Sequence, residues 1–478
     1  MRQIILFILL LLSFEISAQG WQSHDNKDLP MQIRLMSRDY SVRIKPQGKP
    51  WQEVKVYGAL VSNYDRHSAN HQDFVGVERT AMSFASFCDD FQGAVKVSIT
   101  RHGEAFERVE VRPSKYAIEP KRVGRNTVEF EIHDPQEKIS VEFDSDRDHN
   151  LFIFPDRHDQ YKPNPFQEGV IYYGAGLHYA GIINLKSNQT LYLDQGAVVY
   201  GQVRAVDAEH VRIAGRGILC GSMADHAEFR RGRLVDFLRC RDVTVSGITL
   251  RDSPAWSLCM TDCQMVHINN VKEICWMINS DGVDVCNSRE VVIENCFMRN
   301  YDDNVSIKAV PWGKDDTANV TVQGCTMWAD CAHNFLVGPE APEHTISRTR
   351  FLGSVILESR EKADPWRGAM AVMISDEGYY EDVLIDGVEV EGIRGGMIMS
   401  FDFAKYTSRG RSAKDIVVRN VTYKGAEPPR SVIRGLDQEH QVENVTLSNL
   451  IFNGEKICEE NLSRYFEVKF VKALKIDN

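Results

Sequence analysis

Val291-Val-Ile-Glu-Asn-Cys296 is followed 29 residues later by Val320-Thr-Val-Gln-Gly-Cys325, the same phrase of apolar, variable, apolar, variable, small, apolar residues. It recurs as Val243-Thr-Val-Ser-Gly-Ile248, Val266-His-Ile-Asn-Asn-Val271, Val383-Leu-Ile-Asp-Gly-Val388, Ile416-Val-Val-Arg-Asn-Val421 and Val445-Thr-Leu-Ser-Asn-Leu450, with a weaker copy near Ile346. Apolar and variable positions alternate within each copy, which is the pattern of a strand buried on one side. Repeats of this length without helical periodicity mark a solenoid. A second strand family lies between the phrases: Ser257-Leu-Cys-Met260, Gly282-Val-Asp-Val285, Asn304-Val-Ser-Ile307, Asn334-Phe-Leu-Val337, Ala371-Val-Met-Ile374 and Gly396-Met-Ile-Met399. Two or three strands per repeat, coiled into stacked rungs, predict a right-handed parallel β-helix over residues 168–478. Cys296 and Cys325 share one position of the phrase and are expected to stack inside it.

Upstream the texture differs. Val95-Lys-Val-Ser-Ile99, Val128-Glu-Phe-Glu-Ile132 and Ile139-Ser-Val-Glu-Phe143 alternate with period two and are separated by turn residues, so residues 19–156 read as an antiparallel β-sandwich. Residues 157–167, with Pro163 and Pro165 among polar residues, read as the linker. The chain is thus expected to be all-β. Residues 1–18 carry Arg2, an apolar run from Ile4 to Leu12 and a small-residue exit at Ser17-Ala18, which predicts a signal peptide and export to the periplasm or the medium. No later stretch has the roughly 20 apolar residues of a membrane span.

The formal net charge of -11 argues against nucleic acid as a partner, since an acidic surface has no counterions to release from phosphates. The 11 cysteines are an odd number, so at least one is free or pairs between molecules. Most fall in the strand repeats, where a thiol packs as a small hydrophobe. They show no zinc-type spacing, and no metal or cofactor is expected.

Aligning the second strand family by its apolar residues places Asp281, Asp303 and His333 at one position of successive rungs, with Trp256 one rung earlier. Neighbouring strands lie ~4.8 Å apart, so this column forces the side chains together. Asp302 adds a third carboxylate at the same edge. Crowded carboxylates repel, and at least one is expected to hold a proton near neutrality. That is the requirement of glycoside hydrolysis, in which one carboxylic acid protonates the leaving oxygen while a carboxylate activates water or attacks the sugar. A calcium site or a solvated turn is the bland alternative for the same residues. Trp256 is expected to form a sugar-stacking wall, and Lys308, at the end of the strand that begins after Asp303, to reach the cleft. Trp366 and Arg367, in the longest loop near the column, are candidates for stacking and for hydrogen bonding to sugar substituents. Asp284 lies an odd number of residues from Asp281 and reads as structural; Trp312, Glu377, Tyr379 and Tyr380 are weaker candidates at the cleft.

Asn279-Ser-Asp281-Gly-Val-Asp284, followed by Asp302-Asp303, resembles the Asn-Thr-Asp and Gly-Asp-Asp motifs of glycoside hydrolase family 28, the polygalacturonases. It is equally similar to family 49, the dextranases and isopullulanases, which carry a β-sandwich before the helix. The resemblance covers roughly residues 170–460. It implies Asp302 as general acid, Asp281 and Asp303 as the pair that holds and deprotonates water, and inversion at the anomeric carbon. Asn279, Asn304 and His333, beside these aspartates, are candidates for binding the carbohydrate substrate. Where family 28 usually has Gly before and Cys after the Asp pair, this chain has Tyr301 and Asn304. The Gly-His-Gly motif becomes Ala332-His333-Asn334. The uronate-binding Arg-Ile-Lys motif has no clear counterpart, the corresponding rung reading 371–376 Ala-Val-Met-Ile-Ser-Asp. Two other readings compete with hydrolysis: a uronate-specific lyase and a glycan-binding β-helix without catalysis. Sequence leaves the sugar, the linkage and the oligomeric state open.

Overall fold

The computed structural model describes residues 35–62, 79–224, 232–360, 367–375, 377–403, 411–427 and 430–477. The segment 1–18, read as a signal peptide, and Trp366 lie outside the described residues. Nearly all regular structure is strand.

From Val170 onward the chain winds as a right-handed parallel β-helix with three faces. Face one is a sheet of twelve strands built from the recurring phrase, for example Val266 beside Val291 and Val291 beside Val320. The small residue of the phrase marks the corner into face two: Asn270, Asn295 and Gly324 all have φ between 53° and 62°. Only glycine, or a short polar residue able to bond its own backbone, takes that left-handed conformation cheaply, which is why the position is always Gly or Asn. Face two holds short strands that the sequence pattern left ambiguous, among them Lys272–Cys275, Phe297–Asn300, Thr326–Ala329 and Val355–Arg360. Face three holds the second strand family: Leu258–Thr261, Val283–Cys286, Val305–Lys308, Phe335–Val337 and Gly368–Ile374. Apolar positions from all three faces point inward and form one continuous core in which Val291, Ile293, Cys296, Val320 and Cys325 are fully buried, while others on face two, such as Phe297 and Trp328, point outward. Each such side chain contributes about 1.5–3 kcal/mol by leaving water. All 11 cysteines are free thiols, nine of them buried.

Residues 40–156 form two five-stranded sheets packed face to face. The expectation of a wholly antiparallel sandwich is corrected at one place: Leu151–Asp156 runs parallel to Arg79–Cys88. Alternation fixes which side of a sheet a residue faces but not strand direction, so the sequence pattern could not show this. The last sandwich strand ends at Asp156 and the first helix strand begins at Val170.

The sandwich docks on face two. Phe152 and Phe154 pack against Phe297 with ring centroids 4.5 and 4.8 Å away and the planes tilted by 60° and 55°, and Arg112 donates to the Leu357 carbonyl. Three buried arginines surround Trp328, with Arg299 at 4.3 Å, Arg360 at 5.0 Å and Arg112 at 5.3 Å from the ring centroid. Their charges are met by Asp330, Asp148, Glu142 and Glu358 from both domains. Arg299 lies three residues before Asp302 and Asp330 three before His333, so the docked sandwich anchors the turns that carry the candidate site.

Candidate active site

The corner between faces two and three brings the predicted column together. Backbone hydrogen bonds link it rung to rung: Ser257 N–H to Asp281 O, Gly282 N–H to Asp303 O, and Asn304 N–H to His333 O. The strands behind these turns are in register at Leu258, Val283, Val305 and Phe335. Asp281, Asp303 and His333 are almost completely buried, whereas Asp302 is partly exposed at the mouth of the site. One rung before Trp256, the same position is Arg233, which the alignment would have reached had it been extended past Leu258 to Val235.

The electrostatics separate the carboxylates. Asp303 Oδ1 accepts hydrogen bonds from the His333 backbone N–H at 3.0 Å and lies 2.6 Å from His333 Nδ1. Burial works against ionisation of Asp303, but His333, with Lys308 and Arg367 behind it, holds its carboxyl below the usual range. Burial pushes Asp281 well above that range; the Lys308 ammonium opposes the rise, and Asp284, Asp302 and Asp303 add to it. Lys308 Nζ stands 3.1 Å from Asp281 Oδ2 and 3.0 Å from Asp284 Oδ1, with Glu340 Oε2 at 3.9 Å. Burial lowers the ammonium's proton affinity, yet these carboxylates carry it well above the usual lysine range, so Lys308 is a fixed cation. Asp284 is pushed up to about 6, by burial first and against the pull of Lys308.

Several residues take places that differ from the sequence reading. Asp284, read as pointing away, faces the same ammonium as Asp281. Asp281 stands in the turn before the strand Val283–Cys286, where strict alternation does not hold. Lys308, expected to reach the cleft, is 3% exposed, clasped by carboxylates and 4.1 Å from the centroid of Trp256. Arg233 lies 4.9 Å from the same ring, and Trp312 stacks on it at 6.5 Å with 30° between the planes. Trp312, 57% exposed, therefore offers the open aromatic surface expected of Trp256. Asn304, expected beside substrate, is fully buried: it accepts from Asn300 Nδ2 at 3.0 Å and donates to Asn334 Oδ1 at 2.9 Å. Asn304 and Asn334 are two of the positions that depart from the family 28 pattern, and here they bond to each other. Asn279 sits in the turn before Asp281 with φ 59°, a conformation that asparagine tolerates. Arg367 stands in register with Asp302, two rungs on, its guanidinium 3.8 Å from Cys331 Sγ. Tyr380 is buried and hydrogen-bonded to Pro339 O, while Glu377 and Tyr379 pair with Arg411 at the surface.

Residues 212–338, which contain the whole column from Arg233 to His333, match the family model described as Glycosyl hydrolases family 28. A probable polygalacturonase of Arabidopsis thaliana is 24% identical over 200 residues, 40% of this chain and 41% of that protein. The chain thus spans about two fifths of the length of this curated relative. In fold, the chain is similar to Dex49A from Penicillium minioluteum, with a TM-score of 0.62, 15% identity, and 92% of this chain and 94% of that one covered. It is also similar to a family 28 exopolygalacturonase of Yersinia enterocolitica, with a TM-score of 0.51, 11% identity, and coverage of 80% and 96%. The aspartate column therefore stands on a pectin-lyase-like right-handed β-helix, within the segment that matches glycosyl hydrolases family 28.

Proposed function

We propose that this protein is a glycoside hydrolase acting on a poly- or oligosaccharide, with inversion at the anomeric carbon. The observation that carries the reading is the column itself: three carboxylates and a histidine on consecutive rungs, with burial raising the proton affinity of Asp281 and His333 lowering that of Asp303 against burial. Asp302, at the mouth, donates the proton to the leaving oxygen. Asp303, kept ionised by His333, accepts the proton of the attacking water, and Asp281 shares in holding that water. Lys308 balances the charge of Asp281 and Asp284 through the cycle. Trp312 supplies an apolar face for a sugar ring, and Arg367 hydrogen-bonds a substituent on the far side of the column.

A lyase would need a neutral lysine or arginine to abstract a proton beside a uronate. Lys308 stands 3.1 Å from Asp281, and the carboxylates around it keep its proton in place, which favours hydrolysis. The test is to incubate the mature chain with dextran, pullulan, α-galactosides, polygalacturonate and sulfated galactans, and to follow the products by chromatography and the fresh anomer by NMR. Hydrolysis predicts saturated products that vanish with Asp302→Asn. Unsaturated, ultraviolet-absorbing products would overturn it in favour of elimination, and product release untouched by Asp302→Asn would remove Asp302 from its role. Export belongs to the same reading, and the N-terminal residue of the secreted protein tests it.

A further inference from the structure

Beneath the column, inside a helix whose core is largely apolar, runs a line of buried polar side chains. Asn300 Nδ2 donates to Glu273 Oε2 and to Asn304 Oδ1, both at 3.0 Å. Asn304 Nδ2 donates to Asn334 Oδ1 at 2.9 Å, and Asn334 Nδ2 reaches the Glu358 carbonyl at 3.2 Å. Glu273, Asn300, Asn304 and Asn334 are all completely buried. For stability alone such a line is a poor choice, because apolar residues of similar size avoid the desolvation of each amide.

Three of the four members lie within three residues of a column residue, and the fourth, Glu273, is bonded to Asn300. Asn300 and Asn304 bracket Asp302-Asp303 and clamp the ends of that turn to each other. Asn334 follows His333. Gly282 follows Asp281, and its lack of a side chain is required here: a Cβ would come within 2.5 Å of both Glu273 Oε2 and Asn300 Nδ2 and within 2.3 Å of Asn304 O. The column residues stand in turns, outside the strand pairs that hold the rungs in register. Hydrogen bonds across rungs supply in the turns the registration that strand pairing supplies elsewhere.

We propose that Glu273, Asn300, Asn304 and Asn334 are positioning residues that fix Asp281, Asp303 and His333 relative to one another and thereby set turnover more than substrate affinity. The inference rests on the hydrolase reading for its kinetic test, but it has a structural test that needs no substrate. Burial holds the Glu273 carboxyl well above the usual range.

The experiment compares the full-length parent with Asn304→Ala, Asn334→Ala and the double variant. Kinetics are measured by reducing-end release from polygalacturonate or, where the parent leaves it intact, from the glycan of the screen that it cleaves. Each single variant is expected to lose kcat by up to about 10²-fold with KM little changed, the scale expected when reacting groups move by about 1 Å. The double variant is expected to lose less than the product of the two singles, because either single already breaks the Asn304–Asn334 bond. A KM rise with kcat intact, or single losses that simply multiply in the double, overturns the inference. In crystals of Asn304→Ala without substrate, the 2.6 Å contact between His333 Nδ1 and Asp303 Oδ1 is expected to open; its survival overturns the inference even in an active enzyme. A parent that cleaves no glycan defeats the hydrolase reading, and the crystallographic comparison then decides the inference alone. Should Asn304→Ala not fold, Asn334→Ala, at the end of the line, carries both measurements.

Discussion

Replacing Lys308 by methionine keeps the length of the side chain and removes its charge. In the parent the ammonium lies 3.1 Å from Asp281 and 3.0 Å from Asp284, which are 3% and 0% exposed. At about pH 8 the variant must either bury two carboxylates without a counter-ion or bind protons that the unfolded chain does not hold. Breaking a buried pair from one side costs about 3–5 kcal/mol. The pH dependence carries the decisive sign. A carboxyl with a raised folded pKa holds its proton longer folded than unfolded, so its contribution to stability is greatest below the unfolded value and falls as pH rises toward the folded one. In the parent Asp284 already rises from 3.8 to about 6, worth about 3 kcal/mol lost across that interval. Without Lys308 both carboxyls rise further, and the interval extends upward. At about pH 4 the folded variant holds these groups neutral, and its deficit against the parent shrinks to roughly 1 kcal/mol, the scale of one lost hydrogen bond. Urea unfolding of parent and variant, followed by circular dichroism at about pH 4 and about pH 8, measures the difference. An equal deficit at the two pH values, or a larger one in acid, would refute the assignment of Lys308 as the counter-ion of this pair.

His333→Ala removes the group that holds Asp303 below the usual carboxylate range, so the acidic limb of the rate profile should move to higher pH; initial rates across the acid range check it, and an unmoved limb would mean that Asp303 is not the ionising base. Trp312→Ala removes an exposed ring stacked on Trp256 and should raise KM about fivefold, the equivalent of about 1 kcal/mol of ring stacking, with kcat unchanged. Trp328→Ala takes a fully buried indole from among three arginines and should cost about 3–5 kcal/mol, read as a lowered unfolding midpoint.

The column was legible because a parallel β-helix converts a one-dimensional register into a spatial neighbourhood. Once Val283, Val305 and Phe335 are seen as equivalent, Asp281, Asp303 and His333 must be neighbours, and one further rung would have included Arg233. Side-chain direction in the turns was not legible. Asp284 was assigned by alternation, yet it shares Lys308 with Asp281 because Asp281 stands outside the strand. Asn304 reads as a polar residue beside two catalytic candidates, and nothing local to it reveals that its partner is Asn334, 30 residues away. The parallel pair inside the sandwich was hidden for a similar reason, since alternation carries no direction.

The recurring phrase, with its small residue at each left-handed corner, is enough by itself to determine a β-helix, because burial with period two and the steric demand of the corner act residue by residue. The same local rules determine which residues share the column. Tertiary structure alone decided the charge state of the site. Whether a carboxyl keeps its proton depends on desolvation and on charges a few ångströms away, here Lys308, Asp284 and His333, whose distances arise only when the rungs stack and the sandwich closes on face two.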